Sequence, residues 1–173
     1  MKFFSGFSLK NEEYLFAPFI KKSDFTICGF SYGAIKAFQA TKEALELGKR
    51  VDTLQLFSPA FFETTSDKFK RLQMLSYSKD KMSYMQQFID SCFAPYPKRE
   101  LTFQETTKDE LNELLTYKWN IADLHKLENS GVVIEVYLGG NDKIIDVNAA
   151  KEFFLKVATV TYIKEANHFL LTK

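Results

Sequence analysis

The chain has 173 residues, 46% of them hydrophobic and 26% charged, with a formal net charge of +1. That length fits one domain with a substantial core, and the composition sets the chain apart from disordered proteins. A net charge so near zero gives no global bias toward nucleic acid, so any charged partner must meet a local patch.

Lys2 to Ser5 reads as a first strand, followed by Gly6 and Phe7, and Glu12 to Ile20 has helical spacing. Lys10, Glu12 and Glu13 arrive too early for a signal-peptide apolar region, and no stretch is long enough to cross a bilayer. The expectation is a cytoplasmic protein without a membrane partner. Phe25 to Cys28 reads as a buried strand, Tyr32 to Leu47 as a helix and Thr53 to Phe57 as a third strand. Cys28 and Cys92 read as reduced packing residues, since two cysteines make no disulfide framework.

The stretch from Pro59 to Lys126 is far longer than one crossover requires. Phe69, Leu72 and Leu75, then Met82, Met85, Phe88 and Ile89, keep helical spacing within Ser66 to Lys126. We read it as a helical lid inserted at about 61–120, the alternative being a longer helical layer on the sheet's flank. Val132 to Leu138, Asn148 to Val157 and Val160 to Lys164 then read as strand, helix and strand.

This alternation predicts an α/β fold in one domain, 1–173: a mostly parallel sheet of about five strands with a helical lid insertion. Ligands of such sheets meet the carboxyl ends of the strands. With strands in chain order and right-handed connections, every crossover helix falls on one face. The other face then needs cover from the first helix, part of the insertion or a partner subunit.

Gly29-Phe30-Ser31-Tyr32-Gly33 lies between the second strand and its helix. A serine on that tight turn is forced into a strained conformation that presents its hydroxyl, and the flanking glycines let neighbouring chain pass close by. Serine at neutral pH needs a base, and the base needs an orienting group. His168 follows the last strand, at the rim where Ser31 emerges, whereas His125 reads as a partly exposed helix residue. Asp142, after the glycine turn at 139–140, is the orienting carboxylate, and Asp146, its rival, reads better as a helix cap. The order nucleophile, acid, histidine is the one expected of an α/β-hydrolase. For the oxyanion, the backbone N–H groups of Tyr32 and Phe7 are the expected donors. The Phe7 ring either walls the pocket or packs in the core.

Phe4-Ser5-Gly6-Phe7 resembles the oxyanion loop of the pimeloyl-[acyl-carrier protein] methyl ester esterases of biotin synthesis. Gly29 to Ala34 resembles their nucleophile elbow, and Phe57-Ser58-Pro59-Ala60 the segment leading into their lid. The short BioV-type form looks most similar, from Met1 through the Gly-Asn-Asp at 140–142 to Asn167-His168. The resemblance implies a minimal α/β-hydrolase fold and hydrolysis of the methyl ester of a pimeloyl-acyl carrier protein, with methanol as the other product and neither cofactor nor metal. It also implies an acidic carrier protein as partner. Lys68, Lys70 and Arg71, with Lys79 and Lys81 nearby, are a candidate docking patch, and a solvated helix face is the equal alternative. Met74, Leu75, Met82, Met85 and Phe88 line either an acyl groove or the lid's own core. Two other functions stay open: a general small-acyl carboxylesterase or thioesterase, and a hydrolase-like binding protein without chemistry. The presence of all three triad residues in order argues against the last.

Overall fold

A computed structural model describes residues 1–173. Its strands are β1 (Lys2–Phe4), β2 (Leu9–Lys10), β3 (Thr26–Phe30), β4 (Thr53–Phe57), β5 (Thr102–Phe103), β6 (Val133–Gly139) and β7 (Thr159–Ile163). Its helices are α1 (Tyr32–Glu46), α2 (Asp67–Lys79), α3 (Lys81–Phe93), α4 (Lys108–Thr116), α5 (Ile121–Asn129) and α6 (Val147–Phe154), with a 3₁₀ turn at Glu12–Phe16. Five strands form one parallel sheet in the order β1-β3-β4-β6-β7. No helix is long and apolar enough to cross a membrane.

Because side chains alternate along a strand, the sheet sorts its residues onto two faces. Ile27, Leu54, Leu56, Ile134, Val136 and Leu138 share one cluster with Ile35 and Phe38 of α1, Leu124 and Leu127 of α5, and Ala150 and Phe154 of α6. The crossover helices therefore lie on this face, as right-handed connections require.

Cys28, Phe30 and Phe57 point the other way. Three elements cover them: Leu15 and Phe16 of the 3₁₀ turn, Ile89, Cys92 and Phe93 of α3, and Phe169 to Leu171 of the tail. Phe16 stacks on Phe57 at 4.9 Å and lies 4.8 Å from Phe30. The first helical segment and the insertion thus supply the cover, together with the tail. Farther along this face the lining turns polar, where Gln55 donates to Glu135 (2.8 Å) and to the Phe19 carbonyl (2.9 Å).

One sequence expectation needs correction. The segment expected as a helix to Ile20 closes as 3₁₀ at Phe16, because Pro18 has no N–H to continue the ladder. The long stretch to Lys126 holds four helices, the last of which, α5, runs on to Asn129. Asp80 separates α2 from α3 and caps the latter by accepting from Ser83 N (3.0 Å), while Thr107 and Glu110 close a capping box on α4. Between α3 and α4, β5 pairs antiparallel with β2 and ties the insertion to the chain just after β1. Strands of two residues carry no readable period.

Candidate active site

Ser31 stands between β3 and α1 at φ 53°, ψ −113°, a region that costs a non-glycine residue about 1–3 kcal/mol. Neighbouring backbone holds it there: its N–H donates to the Phe57 carbonyl (2.9 Å), and its carbonyl accepts from Ala34 N (3.0 Å) and Ala60 N (3.2 Å). A Cβ at Gly29 would overlap the Gly33 backbone, and one at Gly33 would overlap the carbonyl oxygens of Phe4 and Ser5. The turn accordingly requires glycine at both places, and the loop after β1 rests directly on it.

His168 follows β7 in a turn shaped by Asn167, whose side-chain oxygen accepts from Phe169 N and Leu171 N, each at 3.0 Å. The Asn167 amide donates to the Phe93 carbonyl of α3 (2.7 Å), and the imidazole packs 4.9 Å from the Phe30 ring. Nε2 of His168 lies 3.1 Å from Ser31 Oγ, and Nδ1 lies 2.6 Å from Asp142 Oδ2. Asp142 reaches its place through the turn after β6, with its other oxygen accepting from Ile144 N (2.7 Å) and Ile145 N (3.3 Å). That leaves one carboxylate oxygen for the imidazole. Three residues distant in sequence form one continuous hydrogen-bonded chain, with Ser31 2% exposed and His168 fully buried.

The other titratable candidates lie elsewhere. His125 is half-exposed on α5 and faces Glu128 (3.0 Å), and Asp146 caps α6 through Ala149 N (3.0 Å). The Tyr32 N–H opens α1, where no carbonyl four residues back belongs to the helix, and the helix dipole there favours developing negative charge. Burial and the Glu113 carboxylate, which accepts from the Tyr32 hydroxyl at 2.5 Å, hold that phenol protonated, well above its usual range.

A cavity of about 300 Å³ lies between the insertion and this rim, lined by Phe7, Phe62, Phe88, Leu111, Leu114 and Ile144 among others. The Phe7 ring both walls this cavity and packs against Tyr32 at 6.2 Å. Of the apolar residues considered for an acyl groove, Phe88 lines the cavity; Leu75 is exposed, and Met82 and Met85 border a separate groove with Leu101 and Phe103. Lys68 and Arg71 are exposed on α2 and Lys70 is half-buried, and none of the three makes an ion pair.

Sequence reading does not single out Asn167 as the residue that shapes the histidine turn, and it assigns no role to Glu12, whose side chain is fully buried. A hydrogen-bonding residue directly before the histidine was the available signal for the first. For the second there was none.

The sequence matches no family model and no curated protein. Solved structures do share the backbone. A hydrolase from Oleispira antarctica aligns with TM-score 0.63 at 11% identity over 85% of this chain and 62% of its own. A bromoperoxidase from Bacillus anthracis aligns with TM-score 0.59 at 13% identity over 83% and 60%, and naproxen esterase, a carboxylesterase of Bacillus subtilis, with TM-score 0.54 at 16% identity over 95% and 62%. The chain spans about six tenths of the length of these proteins. The fold is that of the α/β-hydrolases in a minimal form.

Proposed function

We propose that the chain is a carboxylic ester hydrolase working through an acyl-enzyme on Ser31. The observation that carries this reading is the unbroken Ser31–His168–Asp142 hydrogen-bond chain at the carboxyl rim of the sheet. His168 Nε2 takes the Ser31 proton as Oγ attacks the ester carbonyl, and Asp142 holds the Nδ1 proton and stabilises the imidazolium. The N–H groups of Tyr32 and Phe7 are the donors this mechanism assigns to the oxyanion. Collapse breaks the carbon–oxygen bond to the alcohol, which leaves with the proton from His168. Water, deprotonated by the same imidazole, then releases the acid.

For the substrate, we propose the methyl ester of a pimeloyl-acyl carrier protein, hydrolysed in the course of biotin synthesis. Three features support it: the resemblance along the chain, a largely hydrophobic cavity walled by Phe7 of the loop after β1, and unpaired basic residues on α2 next to exposed Leu72 and Leu75. An acidic carrier would approach α2 and feed its acyl chain beneath the insertion. The test compares hydrolysis of the carrier-linked pimeloyl methyl ester with that of a short free ester. The carrier substrate should show the higher kcat/KM by at least about tenfold, a difference of about 1.4 kcal/mol. Equal values would leave a general esterase, and no hydrolysis of either would remove the enzymatic reading.

A further inference from the structure

We infer that Glu12 is a positioning residue for the oxyanion hole: its buried carboxyl holds the Gly6 amide, and thereby sets the Phe7 N–H against the oxygen of an ester bound at Ser31. This inference rests on the esterase reading and adds a residue that the reading does not contain. The loop from Phe4 to Phe7 lies hard against the nucleophile turn on one side. The Phe4 and Ser5 carbonyls fill the space a Gly33 side chain would need, and a Cβ at Gly6 would overlap the ring of Phe30, the residue before Ser31. On its other side the loop is held by Glu12 Oε1, which accepts from Gly6 N at 2.6 Å. Beyond Phe7 the chain is tied to the insertion, where the Ser8 carbonyl accepts from Gln104 N (3.0 Å), the Ser8 and Thr106 hydroxyls bond, and β2 pairs with β5.

Glu12 is completely buried, yet its second oxygen has no partner. Packing alone does not call for a carboxyl there, because a buried polar atom left unpaired is a cost. What the group supplies is one fixed acceptor at the peptide that precedes Phe7. Oxyanion donors act by being aimed before the reaction starts, so an acceptor that fixes the loop acts on the transition state more than on substrate binding. Burial also pushes the carboxyl up from its ordinary range, against the opposing hydrogen bond from Gly6.

The experiment measures kcat and KM on a short free ester for Glu12→Gln, Glu12→Ala and Glu12→Met, with circular dichroism of each. Gln keeps the acceptor; Ala and Met remove it, and Met fills the volume. We expect Ala and Met to lower kcat by about 10- to 100-fold, short of the loss of a whole donor, with KM within about threefold and Gln recovering kcat to within about fivefold of wild type. Folded E12M with unchanged kcat would overturn the assignment, as would a loss confined to KM or an equal loss in E12Q. Failure of both E12A and E12M to fold would also count against it, since Glu12 would then serve stability. A wild-type chain that hydrolyses no ester would overturn the esterase reading instead, so the two failures stay distinct.

Discussion

At Ser31 the hydroxyl faces an imidazole whose far side is already committed to Asp142, so the base cannot rotate away or adopt the wrong tautomer. On the proposed mechanism, removing Ser31 or His168 should therefore cost more than removing Asp142. We expect Ser31→Ala and His168→Ala to lower kcat by about 10⁵-fold or more and Asp142→Ala by about 10⁴-fold, with native circular dichroism. Substantial turnover in S31A would contradict the assignment. Glu12 allows a prediction about pH. Burial, with a smaller contribution from Glu13, raises its carboxyl above the ordinary 4.5, while the Gly6 hydrogen bond opposes the rise. A group raised on folding contributes stability that is complete below the unfolded value and lost as pH climbs through the folded one. Wild type should accordingly lose stability relative to E12Q as pH rises from about 4.5, read from urea midpoints. A constant difference across that range would contradict the burial argument. These residue-scale placements were unevenly legible. Ser31 was visible because two glycines at fixed offsets announce a tight turn, whereas Glu12, between Asn11 and Glu13, carries no local mark of burial.

The strand-turn-helix unit of β3 and α1 works because Gly33 lets the loop after β1 touch it. A methyl group there must displace the Phe4 and Ser5 carbonyls or move the helix. We expect Gly33→Ala to destabilise the fold by about 1–3 kcal/mol, or more, and to reduce turnover in whatever remains folded. Wild-type stability and activity in this variant would mean that the loop does not rest on the elbow. On the opposite face, Phe16→Ala should cost about 3–5 kcal/mol, because the 3₁₀ turn supplies a ring buried between Phe30 and Phe57. The main strands were readable as apolar runs ended by turn residues. The 3₁₀ turn was not, since Leu15, Phe16, Phe19 and Ile20 keep the spacing of an α-helix until Pro18 denies it a donor.

Across the whole molecule, five parallel strands in chain order put the crossover helices on one face and leave the second to the chain's leftovers: a 3₁₀ turn, one inserted helix and the tail. Strand order and helix alternation followed from local patterns. The cover of the second face depended on contacts between distant segments that no local pattern records. One of those segments, α3, also holds the histidine turn through Phe93 and Asn167, so the insertion braces the site. The same insertion displays the unpaired cations of α2. Reversing Lys70 and Arg71 to glutamate should lower kcat/KM for the carrier-linked ester by about tenfold or more at low salt and leave a short ester within about twofold. Equal losses on both substrates would count against docking at α2.

The most direct measurement is active-site titration with a fluorophosphonate, followed by peptide mapping of wild type and His168→Ala. The account predicts one label per chain on Ser31 in folded wild type and almost none in H168A. A folded wild type that takes no label, or a Ser31 that labels equally well without His168, would contradict it.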